Sequence, residues 1–157
     1  MPISPDQFKD ALRHFAAGVT IVTVKAGEDV HGLTVSAFVS ISAEPPLIGV
    51  IVYGGTYGHE LLERSAAVFA VNILKEGQNE LSDRFAWKED RFEDPLGEWG
   101  TATTGAPVLL NGLAWLDCSV HSRVQAGSHT VYIGKVQESS VVEPDQNPLV
   151  YWNRKYR

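Results

Sequence analysis

The chain has 157 residues, of which 44% are hydrophobic and 20% charged, with a formal net charge of −6. A chain of that length buries roughly 70% of the surface its unfolded form exposes, so one folded unit spanning 1–157 is expected to stand without covalent staples. Thirteen Lys and Arg spread without a basic block argue against nucleic acid as a partner, and the single cysteine, Cys118, excludes an intrachain disulfide and a cysteine-rich metal site.

The first element is signalled by Ser4-Pro5-Asp6-Gln7, a capping serine, a proline at the first helical position and a glutamine placed to return the cap. Phe8, Leu12 and Phe15 then share one face, which predicts a helix ending near Gly18. From there the pattern changes to β-branched and period-two runs at 19–24, 33–41, 47–53, 68–74, 113–120 and 130–136. Turn chemistry separates them at 26–29, 43–46 and 125–128. Only two further helices are signalled, around 59–64 and 79–86, too few for a regular βαβ sheet. Six or more half-buried strands in a unit this small favour a closed barrel, which leaves no free edge. The charged, Gly-, Pro- and Thr-containing stretch 88–105 reads as a long surface loop, with 87–99 as a candidate dimer arm. No apolar run approaches the roughly 18 residues of a spanning helix, and the N-terminus shows no basic region followed by an apolar core. No membrane association is expected, and a reducing cytoplasmic setting is.

Several familiar chemistries lack their motifs. Gly54-Gly55-Thr56-Tyr57-Gly58 has the wrong spacing for a dinucleotide turn, and phosphate-loop, zinc-protease, nucleophile-elbow and Cys-x-x-Cys patterns are absent. A nicotinamide nucleotide would not bind by a Rossmann route, and no metal ligands are assigned.

Four segments remain suggestive. In 32–40 small hydroxyl residues alternate with apolar ones, so Thr34, Val35, Ser36, Ala37 and Ser40 offer a wall on which a flat ligand such as a flavin can approach the backbone. The same alternation also suits an ordinary half-buried strand whose Thr34, Ser36 and Ser40 face water. Gly55, Thr56 and Tyr57 follow a strand and lead into a helix, a place for a phosphate or simply a strand-to-helix turn. Asn72 interrupts an apolar run and must find partners if buried, either holding a ligand or stapling two strands. His129 begins a strand after a tight turn, as a site residue or a surface one, and Tyr151 with Arg154 sets an aromatic beside a cation, suited to stacking and phosphate pairing or to a plain basic tail.

In order and spacing these segments resemble the flavin reductase family, short-chain NAD(P)H:flavin oxidoreductases with the FMN-binding split-barrel fold. The resemblance is carried by 15–23 (FAAGVTIVT), 32–42 (GLTVSAFVSIS), Pro45-Pro46-Leu47, 69–74 (FAVNIL), Gln78, Leu81-Ser82 and Phe85-Ala86. It continues through 105–109 (GAPVL), 114–118 (AWLDC), 127–134 (GSHTVYIG), 148–151 (PLVY), Arg154 and Tyr156. The family implies a mainly β, Greek-key-like antiparallel barrel with a few flanking helices. Thr34, Val35, Ser36, Ala37 and Ser40 would line the isoalloxazine and ribityl chain, Asn72, Phe85 and Ala86 would complete the pocket, and His129, Tyr151 and Arg154 would surround the nicotinamide nucleotide. Hydride would pass from the nicotinamide to FMN or FAD with the rings stacked, so that positioning replaces acid–base chemistry and no catalytic residue is named. The family pattern has Ser and Thr with Arg or Lys where this chain reads Gly55-Thr56-Tyr57-Gly58-His59, so the side-chain phosphate grip is thinned and Tyr57 is free to stack on an adenine. No basic pair in the sequence marks a 2′-phosphate site, which makes NADH the default donor over NADPH. A homodimer and a separate monooxygenase receiving reduced flavin are the implied partners. A flavin-retaining electron carrier and a non-catalytic flavin-binding barrel are the alternatives.

Overall fold

In the computed structural model, which describes residues 2–89, 91–93 and 96–157, Ser4 caps α1 (Pro5–Leu12) as its neighbours predict. The Ser4 hydroxyl accepts from the Gln7 N–H at 3.2 Å, and the Gln7 side chain accepts from the Ser4 N–H at 3.0 Å. The helix stops at Leu12, short of the expected end near Gly18. The C-terminal segment claims the carbonyls that would have extended it, since the Asn153 N–H donates to Arg13 O and the Trp152 indole to His14 O, both at 2.9 Å.

The remaining elements are β1 (Ala17–Gly18), β2 (Thr20–Ala26), β3 (Asp29–Val35), β4 (Phe38–Ser42), β5 (Leu47–Tyr53), α2 (Tyr57–Leu62), β6 (Ala67–Ile73) and α3 (Asn79–Trp87). They continue through β7 (Trp99–Thr101), β8 (Pro107–Leu109), β9 (Ala114–Ala126), β10 (His129–Val141), β11 (Val150–Trp152) and β12 (Lys155–Tyr156). Seven strands form one antiparallel sheet in the order β3-β2-β6-β9-β10-β5-β4. The apolar run 33–41 is therefore two strands, not one, lying at opposite edges of the sheet. Between them Ser36 and Ala37 carry the chain across, with the Phe38 N–H turned back onto Ser36 O and the Ile51 N–H on Ala37 O. The barrel is closed by this covalent crossing and split along the same line.

Strand β2 is buried on both faces, which explains its continuous apolar run. Its inner side joins Val35, Val50, Phe69, Val71 and Tyr132 in the barrel core, which Leu61 and Leu62 of α2 plug at one end. Outside the barrel, Ile21 and Val19 meet Leu81 and Phe85 of α3 in a second cluster. Glycine at position 32 permits that packing, because a Cβ there would lie 2.4 Å from a Phe85 ring carbon. The stretch read as a surface loop, 88–105, contains β7, and Phe92, Leu96 and Trp99 pack it back onto this second cluster. Aromatic anchors, hidden among charges in the sequence, hold it down; Asp90, Asp94 and Pro95 lie outside the described residues. Among the described residues no helix is long and apolar enough to cross a membrane.

Candidate functional site

Where β3 ends, the last two turns of α3 and the β11–β12 hairpin face the split in the barrel and leave a cleft of about 300 Å³. Thr34 and Ser36 line it from the end of β3, Ala86 and Trp87 from α3, and Tyr151, Arg154 and Tyr156 from the β11–β12 hairpin. A hydrogen-bond chain fixes the geometry. Thr34 Oγ1 donates to Ser82 O at 2.6 Å, Ser82 Oγ meets the Tyr156 hydroxyl at 2.9 Å, and that hydroxyl donates to Asp83 Oδ1 at 2.6 Å. Burial, then the bond to Asp83, pushes the Tyr156 phenol above its ordinary range, so it stays a donor. Ser36 is exposed and Trp87 is 81% exposed, so a small hydroxyl side chain and an indole both present free surface to this slot, with the exposed Ala37 next to Ser36 in the chain.

The slot continues in both directions. Through Ser36, Tyr151 and Arg154 it opens into a pocket beside α1, lined also by Lys9, Leu12 and Arg13. Through Thr34, Ala86 and Trp87 it reaches His31, Tyr57 and Arg91, and through Thr56 and Tyr57 the turn containing Gly55. Arg91 is pinned there, donating to Gly32 O at 2.7 Å and Phe85 O at 2.8 Å, while the Tyr57 ring stands edge-on to His31 at 5.1 Å. Burial, with Arg91 adding to it, lowers His31 to about 4, so its ring is neutral at pH 7.

The elements thus bring Thr34, Ser36, Ala86, Tyr151 and Arg154 together around the slot, with Gly55, Thr56 and Tyr57 at its far end. Phe85 backs the same wall from the core. Asn72 is corrected to a staple: it is fully buried, its amide donates to Ile21 O and Thr23 Oγ1, and its oxygen accepts from the Leu109 N–H at 2.8 Å. No atom of that amide remains for a ligand. Val35 likewise turns its side chain into the barrel core, so only its backbone faces the crossing. Ser40 sits on exposed β4 and does not line the slot, while His129 opens β10 with its ring 5.4 Å from that of Tyr53, beside the Gly54–Gly55 turn rather than near Tyr151 and Arg154. The Thr56 hydroxyl donates to Tyr53 O and accepts from the His59 N–H, so its oxygen serves the turn itself.

Residues 12–157 match the family model described as the flavin reductase like domain. The chain belongs to that family. It is 37% identical over 152 residues to the reductase component of 4-hydroxyphenylacetate 3-monooxygenase from Thermus thermophilus, covering 97% of this chain and 95% of that one. It is 34% identical over 151 residues to the NADH-dependent flavin reductase StyB of Pseudomonas fluorescens, covering 95% and 86%. Among solved structures, the Streptomyces globisporus NADH:FAD oxidoreductase in complex with NAD and FAD fragments superposes with a TM-score of 0.89 at 28% identity, covering all of this chain and 95% of that one.

Ser82, Asp83, Trp87 and Arg91 also line the slot and its extension, and none is singled out as a site residue by the sequence. The first three follow from extending α3 by its own period of 3.6 from Phe85 and Ala86, which sets 82, 83 and 87 on faces beside them. Arg91 carried no local signal, because its partners are the carbonyls of Gly32 and Phe85.

Proposed function

We propose that this protein is an NAD(P)H-dependent flavin oxidoreductase that supplies reduced FMN or FAD to a separate monooxygenase. The observation that carries the reading is the slot itself, which gathers the small residues Ser36 and Ala86, the exposed Trp87 indole, and the Arg154 cation with Tyr151 around one cleft. A planar ring system with a phosphorylated tail fits such a site: apolar faces above and below, polar backbone at one edge, a cation at the end. Thr34, Ser36, Ala37, Ala86 and Trp87 would hold the flavin ring, with Thr56 and Tyr57 toward its phosphate or adenylate end. Tyr151 and Arg154 would meet the nicotinamide nucleotide.

Bound flavin supplies the chemistry by accepting a hydride from the reduced nicotinamide. What the chain contributes is placement. The Thr34–Ser82–Tyr156–Asp83 hydrogen-bond chain ties β3, α3 and β12, the three elements that line the slot, to one another. The neutral His31 keeps a second full charge away from Arg91. No side chain has to move a proton in the transfer step. The relative named a monooxygenase reductase component supports the partner assignment.

A homodimer and a cytoplasmic setting belong to the same proposal. The outer face of β4 and β5 exposes Val39 at 50% and Ile41 at 47%, seated over Gly49, whose missing Cβ leaves room for both. With Ile51 and Val124 this makes an apolar patch suited to a second copy. Sedimentation at micromolar concentration tests it, and a monomer alone would remove the dimer.

The test of the reaction is anaerobic stopped-flow absorbance near the flavin peak after mixing the protein and FMN or FAD with NADH. Multiple turnovers of bleaching establish the reductase; tight flavin binding without bleaching would replace it with a binding protein.

A further inference from the structure

The pocket where the slot meets α1 differs in charge from the rest of the molecule. The chain carries −6 overall, yet Lys9, Arg13 and Arg154 line this one pocket of about 330 Å³, and no acidic side chain lines it with them. Lys9, Leu12 and Arg13 stand at i, i+3 and i+4, on one face of α1 and its cap. Arg154 comes from the other end of the chain. It holds a left-handed backbone, φ 63°, directly after Asn153 at 51°, in a two-residue turn that fixes where its side chain starts. The Asn153 N–H bond to Arg13 O ties the turn to the helix end, so the backbones that carry the cations are held side by side.

The cations are only partly matched within the chain. Arg13 pairs with the exposed Asp10 at 3.0 Å, but its Nε is buried without a hydrogen-bond partner. Among the described residues the side chains of Lys9 and Arg154 make no ion pair. Three like charges converging on one concavity raise a local positive potential, and guanidinium forks match phosphate oxygens in pairs. Beside them Leu12 and Phe15, 54% and 79% exposed, offer apolar surface to a ring.

We propose that Lys9, Arg13 and Arg154 form the phosphate grip for the nicotinamide donor, with Leu12 and Phe15 under its adenosine. The phosphate chemistry is shared by the diphosphate of both nicotinamide nucleotides and by the 2′-phosphate of NADPH. The pocket therefore orders the site: the donor enters from α1, and the flavin lies toward Tyr57. The expectation of NADH from sequence rests on the lack of a basic pair, and folding assembles a basic triplet from positions 9, 13 and 154. The inference rests on the reductase reading, and it has its own test.

Isothermal titration of the purified flavin-free chain with adenosine 2′,5′-bisphosphate and with AMP reads the pocket without turnover. Arg13→Gln and Lys9→Gln should each raise the dissociation constant at least tenfold for the probe that binds, while the FMN dissociation constant, read by fluorescence quenching, changes less than twofold. Lys9 is exposed, so its replacement leaves the fold intact. A strong preference for the bisphosphate assigns the 2′-phosphate; equal binding assigns the diphosphate. Failure of both probes to bind wild type, constants unchanged in both variants, or an equal loss of FMN affinity overturns the proposal. If wild type binds neither probe but NADH still bleaches flavin, the pocket assignment falls and the reductase stands. Probe binding that depends on Lys9 and Arg13 without any bleaching leaves the pocket standing and removes the reductase.

Discussion

Asn72 and Ser36 are both small polar residues set among apolar neighbours, and the chain treats them in opposite ways. Asn72 is fully buried and every polar atom of its amide has a partner within the chain, drawing β6, β2 and β8 together. Thr23 beside it donates onward to Pro107 O at 2.5 Å. Ser36 stands at the split, exposed, and its hydroxyl makes no hydrogen bond among the described residues. The difference teaches where to look for function: the interior seam consumes its polar groups, and the slot presents them.

The largest expected effect lies on the interior side. Asn72→Leu orphans the Leu109 N–H in a site that excludes water and removes the bridge from β6 to β8, so unfolding free energy should drop by about 2 kcal/mol. Urea denaturation measures it, and FMN affinity of the folded fraction should stay within twofold. A loss of flavin binding at full stability would return Asn72 to the site and erase the contrast. On the other side, Trp87→Ala should leave the urea midpoint unchanged and weaken FMN binding about tenfold, the loss of one stacking face. Fluorescence quenching reads the affinity, and an unchanged value would move the ring away from that wall.

These contrasts explain how much is legible in the sequence. The capping box, the strand runs and the helix around Phe85 each depend on near neighbours, so their residues announce them. The crossing at Ser36–Ala37 does not, because it exists only once β3 and β4 occupy opposite sheet edges. The end of α1 is hidden for a related reason: Asn153 and Trp152, far along the chain, take the carbonyls after Leu12. Asn72 suits a ligand or a staple by sequence, and only the register of β2 with β6 and the approach of Leu109 choose between them. The basic pocket is the same lesson in charge, assembled from both ends of the chain.

His31 lines the extension of the slot toward Tyr57, and its titration carries the comparison into pH. Its folded value is about 4 against an ordinary 6.5, so as pH falls the unfolded chain takes the proton first. Between those values the unfolded state binds more protons, and stability is lost as pH drops through that window. Urea midpoints at pH 7 and pH 5 should differ in wild type, and His31→Gln should narrow the difference. An equal slope in the variant would assign the acid sensitivity to other groups.

The smallest effect on stability, and the sharpest on accessibility, concerns Cys118. Its thiol faces the barrel core, fully buried, and burial with the neighbouring Asp117 carboxylate pushes it up to about 12. A thiol reagent needs the thiolate and a path to it, and the folded barrel denies both. At pH 8 the native protein should therefore react with a water-soluble aromatic disulfide only as fast as it unfolds, while the chain in strong denaturant reacts at once. Urea below the unfolding transition separates the cases: a rate that climbs with urea as the unfolded population does reports opening of the barrel, and a rate that ignores urea would mean that the β9 wall admits solvent and that the interior seam is less closed than its hydrogen bonds require.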